Sequence, residues 1–192
     1  VEHLARPNET VVYGLGALHV GMRLERRREV NKFEVDTRAP SIAYRETITQ
    51  NAAAQDGHKK QSGGAGQFGE VHLRIEPLPR GAGFEFVDQV KGGTIPGQFM
   101  PAVEKGVRQV LAGGAIAGYP LQDVRVIVYD GKHHPVDSKE VAFVAAGKQA
   151  FLDAIAQARP QVLEPIAELE DTAPEQPMGD ISGGLTRKRP RI

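Results

Sequence analysis

The chain has 192 residues, 40% of them hydrophobic, with 24 basic and 24 acidic side chains and a formal charge of zero. That length supports one or two domains with a real core, and the balanced charge excludes reading a partner from bulk electrostatics. The absence of cysteine rules out disulfides and thiolate metal sites; with no run of about 18 apolar residues and no signal-peptide pattern, a cytoplasmic protein without a membrane partner is expected.

Val11, Val12 and Tyr13 read as a short strand running into Gly14. A helix is predicted from about Ala17 to Arg28, with Leu18, Met22 and the stem of Arg26 on one face and His19 packing or capping. Phe33 and Val35 form another short strand before Pro40. These pieces bury too little to stand alone.

Residues 42–160 read as a complete unit. Ile42, Tyr44, Glu46 and Ile48 alternate as a first strand, and the polar, glycine-rich stretch 49–68 carries Asp56-Gly57 as a tight-turn signal. Strands are predicted at 70–77 and 83–90, joined by a turn at Pro79-Arg80-Gly81. Pro96 precedes a helix near 98–112, where Met100, Val103, Val107, Val110 and Leu111 keep helical spacing, Glu104 and Lys105 face solvent, and Gly113-Gly114 ends the run. Val124, Val126 and Val128 alternate in a strand running into Asp130-Gly131. Ser138 is the candidate N-cap of a helix that buries Val141, Val144, Phe151, Leu152 and Ile155 and closes at Pro160. The layout is α+β, with helices on one face of a mixed sheet.

Beyond it, Leu163, Ile166 and Leu169 suggest an extended segment and Gly179 to Leu185 a helix start; Arg187, Lys188, Arg189 and Arg191 crowd the last six residues. Segments 1–41 and 161–192 therefore read as pieces of neighbouring domains in a longer protein.

The stretch Gly64 to Val71 fits both a G-x-G-x-x-G fingerprint and a kinase-like G-x-G-x-F-G-x-V loop. A dinucleotide site needs a helix after the glycines, to place pyrophosphate on its N-terminus. The alternating Val71, Leu73 and Ile75 demand a strand instead. No V-A-I-K, H-R-D, D-F-G or Walker-type motif accompanies it. A nucleotide-binding enzyme built on residues 64–71 is thus the weaker rival, and no catalytic, metal or cofactor-binding residue is assigned.

Ser62, Gly63, Gly64, Ala65, Gly66 and Gln67 form one candidate loop, and His133, His134, Pro135, Val136 and Asp137 a second. Glycines let backbone N–H groups approach a nucleic-acid backbone closely, and Gln67 offers both a donor and an acceptor. Imidazoles stack on bases or donate to phosphate and 2′-OH groups; His133 and His134, even with His58 nearby, lack the ligand set of a zinc site. Asp137 beside RNA would be repelled, so it reads as shaping its loop near Ser138. On the residues alone, a solvated loop and an RNA-facing one both fit.

Dense motifs decide between them. Pro40 to Ile48, Gly63 to Gly69, Gly81 to Phe86, Gly92-Gly93, Pro96 and Pro101 to Gly106 resemble elongation factor G at that family's spacing. So do Gly118 to Leu121, Tyr129-Asp130-Gly131, His134, Val136-Asp137-Ser138, Leu163 to Ile166, Met178 to Ile181 and, near the start, Gly14 to His19. The resemblance implies a central domain similar to the second domain of ribosomal protein S5, flanked by incomplete ferredoxin-like βαβ modules. It further implies that this domain enters the ribosomal decoding region and supports tRNA–mRNA translocation, with rRNA, mRNA–tRNA and the rest of the parent chain as partners. GTP and Mg²⁺ would belong to an N-terminal domain outside this chain, where the parent's GTPase activity would reside. Ala65, where many members carry a basic residue, and Pro135, where an acid is common, depart from the pattern. A related ribosome-binding GTPase of recycling, protection or stress is the alternative.

Overall fold

The computed structural model describes residues 2–3, 10–12, 14–32, 36–38, 42–61, 66–166, 179–180 and 183–184. They fall into two units, divided between Ala43 and Tyr44.

In the first unit, β1 (Glu2–His3) pairs antiparallel with β2 (Thr10–Val11), and α1 spans Ala17–Asn31. Leu15 donates its N–H to His19 Nδ1 at 3.2 Å, so that histidine closes the helix start. The helix ends where Lys32 turns left-handed at φ 52°. No residue of α1 is buried, and the predicted packing face is open, with Leu18 85% and Met22 63% exposed. Tyr13, Phe33 and Val35 lie outside the described residues. With no burial to protect its hydrogen bonds, α1 should exchange its amide hydrogens much faster than the helices of the second unit, as hydrogen-exchange mass spectrometry would measure. Equal protection would mean that a hidden surface covers it.

The second unit holds a four-stranded sheet of order β4 (Ala52–Lys60), β5 (Gln67–Pro77), β7 (Val124–Lys132), β6 (Phe84–Asp88). Only β6 and β7 run parallel, and α2 (Met100–Gly113), entered through a short 3₁₀ turn at Gly97–Phe99, lies between them in sequence. Helix α3 spans Glu140–Gln157 and packs on β4, β5 and α2. A separate pair, β3 (Arg45–Thr47) with β8 (Gln161–Leu163), brings the two ends of the unit together.

Strand β5 obeys period two: Gly69, Val71, Leu73 and Ile75 are buried beneath the helices, while Glu70, His72, Arg74 and Glu76 line the opposite face. One sequence expectation fails in this sheet. Asp56-Gly57 is no turn; both residues sit inside β4, with Gly57 opposite Glu70, and the strand runs on to Lys60. Turn chemistry at Asp-Gly is a local preference, which nine residues of pairing with β5 override. Asp130-Gly131 likewise stays within β7, where the register shifts so that Tyr129 is left over between Val128 and Asp130. That bulge reverses the alternation. Asp130 is turned outward and Gly131 inward, where a Cβ would lie 2.3 Å from the Glu70 carbonyl oxygen and 2.5 Å from Ile95 Cδ1.

Helix α3 corrects another expectation. Its buried face is Ala142, Phe143, Ala146, Gly147, Ala150, Phe151, Ala154 and Ile155, whereas Val141 is 62% exposed and Val144 and Leu152 are half-buried. Glycines stand where α2 and α3 cross, because the backbones meet there. A Cβ at Gly106 would lie 2.3 Å from the Val144 carbonyl oxygen, and one at Gly147 would lie 3.0 Å from that of Val103. Ser138 is not the N-cap: Lys139 holds that position, with no side-chain cap.

Two buried carboxylates organise the loops. Glu46, fully buried on β3, accepts hydrogen bonds from the N–H groups of Ala115, Ile116, Ala117 and Tyr119 at 2.6–3.0 Å. Asp123 accepts from Gly81 and Gly83, both at 3.0 Å, which fixes the β5–β6 turn.

Candidate nucleic-acid interface

Pairing directions put three connections at one end of the sheet. Strands β4, β6 and β7 finish there, β5 starts there, and α2 and α3 begin just beyond. Of the candidate residues, Ser62, Gly63, Gly64 and Ala65 lie outside the described residues; Gly66 and Gln67 are described, as are His133, His134, Pro135, Val136 and Asp137.

The two candidate loops are tied together. Phe68 donates its N–H to the Asp137 carbonyl at 2.9 Å, and Ser138 Oγ donates to the Phe68 carbonyl at 3.1 Å. The Phe68 ring stands edge-on to His134, with centroids 6.4 Å apart. Gly66 abuts Asp137 so closely that a Cβ would lie 2.6 Å from Oδ1 and 2.7 Å from Cγ. Asp137 is thus a spacer between the loops, consistent with a loop-shaping carboxylate. Gln67 Oε1 sits 3.2 Å from His58 Nε2, which places His58 at this end as well.

Neighbouring histidines take opposite hydrogen-bonding roles. His134 Nδ1 lies 3.2 Å from the N–H groups of both Val136 and Asp137. An Nδ1 that accepts two N–H bonds carries no proton, so the neutral ring is protonated at Nε2. The Asp137 Oδ2 at 3.6 Å from the same nitrogen is the looser contact, and the two N–H donors decide. His133 Nδ1 faces the Thr94 carbonyl oxygen at 3.0 Å, which requires Nδ1 to donate and leaves Nε2 as an acceptor. One ring therefore offers a donor outward and the other an acceptor. Sequence order alone could not assign these roles, because Thr94 lies thirty-nine residues away in the chain.

The sheet face beside this end is a lattice of paired charges. His72 and Lys132 both reach Glu70, at 2.8 and 3.1 Å, and the bond from His72 does most to hold that carboxyl below the ordinary glutamate range. Arg125 binds Glu85 and Glu76. Lys132 and Arg125 are already paired with carboxylates, so the sheet face is a poorer place for an anion than the loops.

The setting of the glycine stretch differs from that of a dinucleotide fingerprint, which needs a helix after the glycines. The stretch connects two antiparallel strands, β4 and β5, and no helix follows it. The Lys59-Lys60 pair sits at the exposed end of the edge strand β4.

Gly66 yields a direct test. Gly66→Ala should push Asp137 aside and loosen the loop pair, whereas the double variant with Asp137→Ala should restore it. The readout is the line width and exchange rate of the Phe68 and Ser138 amide signals. An unaltered spectrum for the single variant would show that Asp137 yields freely.

Comparison with known proteins fits this geometry. Residues 40–159 match the family described as elongation factor G, domain IV. Over 190 residues, 99% of the chain, 48% of positions are identical to an elongation factor G-like protein of Thermotoga maritima, of which the match covers 28%. An elongation factor G of Aquifex pyrophilus is 46% identical over 96% of the chain and 26% of its own length. A crystal structure of a Thermus thermophilus protein superposes with a TM-score of 0.80 at 36% identity, covering 92% of this chain and 26% of that one. The chain therefore spans about a quarter of the length of the relatives it matches. It belongs to the elongation factor G family, and residues 40–159 are its domain IV.

Proposed function

We propose that the chain is part of a translational GTPase and that the end formed by residues 61–68 and 131–138 is inserted among RNA in the ribosomal decoding region, where it supports tRNA–mRNA translocation. The observation that carries this reading is the bonding of Phe68 to Asp137 and Ser138 beside His134. A rigid α+β body holds His134 with its Nδ1 satisfied internally and its Nε2–H left for an outside acceptor. Preorganised donors at the tip of a rigid body meet RNA without an ordering cost. GTP and Mg²⁺ would be held by another domain, and the described part of this chain supplies contact and steric blockade rather than bond chemistry.

The order β-β-β-α-β-α in residues 52–157 supports likening the central unit to the second domain of ribosomal protein S5. The flanking segments are read as parts of ferredoxin-like modules. Among the described residues no helix is long and apolar enough to cross a membrane, in keeping with a cytoplasmic partner such as the ribosome.

The test uses two His134 variants in the full-length protein on ribosomes. His134→Ala removes the donor and the loop acceptor together; His134→Asn keeps an acceptor near the Nδ1 position but loses the Nε2–H. If Nε2–H contacts a base or its backbone with about 1–3 kcal/mol, both variants should slow tRNA movement about 5- to 150-fold, with GTP hydrolysis near wild type. Wild-type movement by the Asn variant would reduce His134 to a loop-shaping group. A protein that binds ribosomes through this end yet leaves tRNA in place would instead belong with recycling, protection or stress factors.

A further inference from the structure

The third connection at the same end joins β6 to α2 and lies outside the two candidate loops. Gly92 and Gly93 both have positive φ, 72° and 69°, as in a type I′ turn, and a Cβ at either would meet nothing within 4 Å. Their backbone is therefore bare to solvent, and no hydrogen bond among the described residues engages their N–H groups. Lys91 is exposed and, among the described residues, has no ion-pair partner, unlike Lys132 on Glu70. Asp88 accepts from the Val90 N–H at 2.9 Å and Asp130 from that of Gly131 at 2.8 Å; both stay anionic, and among the described residues neither pairs with Lys91. The His133–Thr94 bond fastens this turn to the end of β7, one residue from His134.

Resting on the function proposed above, we propose that the turn Lys91–Thr94 with His133 is a third RNA contact of this end, gripping the ribose–phosphate backbone. The Lys91 ammonium and the two glycine N–H groups meet phosphate oxygens, and His133 Nε2, left as an acceptor, receives a hydrogen bond from a 2′-hydroxyl. The turn itself supplies one cation without an ion pair, bare donors and, through His133, one acceptor, and it carries no exposed apolar side chain, a set that fits RNA backbone better than a protein surface.

The experiment places a photoreactive amino acid at position 91, and separately at position 134, of the full-length protein bound to ribosomes. Cross-linking from position 91 to ribosomal RNA, mRNA or tRNA is expected. In parallel, Lys91→Ala should lower the slope of log affinity against log salt by about 0.7–0.9, the value of one phosphate contact. RNA cross-links from 134 with only protein cross-links, or none, from 91 would overturn this inference and leave the function standing; so would an unchanged salt slope. No RNA cross-link from either position would overturn both.

Discussion

Replacing Glu46 by alanine should destabilise the second unit by about 3–5 kcal/mol, a large share of the roughly 5–15 kcal/mol that holds a domain folded. The carboxylate is fully buried and satisfies four N–H groups of the loop after α2, so its loss strands four donors away from water. Glu46→Gln keeps one acceptor oxygen but aims an NH₂ at donors, and should cost about 1–3 kcal/mol. The pH dependence follows from the same contacts. Burial pushes the carboxyl up, but the N–H groups of Ala115, Ala117, Ile116 and Tyr119 together outweigh it and hold the folded value below the ordinary 4.5. A depressed folded-state value means that the stabilisation is complete above 4.5 and fades as the pH falls through the folded value. Urea unfolding of the wild type should therefore lose stability on acidification more steeply than that of Glu46→Gln. Parallel curves, or an alanine variant within about 1 kcal/mol of wild type, would show the loop to be satisfied by water.

Gly106→Val should be nearly as damaging, at about 3 kcal/mol, the upper part of the overpacking range. In an ordinary helix interior, replacing glycine by alanine gains about 1 kcal/mol. Here even alanine should lose stability, because the new Cβ would meet the Val144 carbonyl at 2.3 Å and the Lys148 nitrogen at 3.0 Å, both backbone atoms of α3. Relief requires the helices to separate, which opens the contacts of Val103 and Phe143, both fully buried. Gly113→Ala, in the same helix with nothing within 4 Å, is the control and should melt at or above the wild-type temperature. A Gly106→Ala variant as stable as that control would mean that the crossing gives way without loss.

Bulk water and local chain geometry are felt residue by residue, so the elements governed by them could be read from the sequence. Period two in Val71, Leu73 and Ile75 gave β5, helical spacing from Met100 to Leu111 gave α2, and Gly113-Gly114 marked its end, where Gly114 takes φ 74°. The motif density that resembles elongation factor G likewise needed no tertiary structure, and the family match over residues 40–159 agrees with it.

Contacts between distant segments decided what the sequence did not. Strand β4 exists because β5 pairs with it along nine residues, against the turn preference of Asp56-Gly57. The face α3 buries carries Phe143, Phe151 and Ile155 among alanines and Gly147, and Val141 lies off that face, 62% exposed. Glu46 looked like one member of an alternating strand, and only the fold of residues 114–119 around it makes it a buried anchor. The role of His133 was set the same way, by Thr94, whereas that of His134 is set within its own loop. A side chain's type limits which bonds it can make, but which nitrogen is left for a partner depends on neighbours that the folded chain supplies.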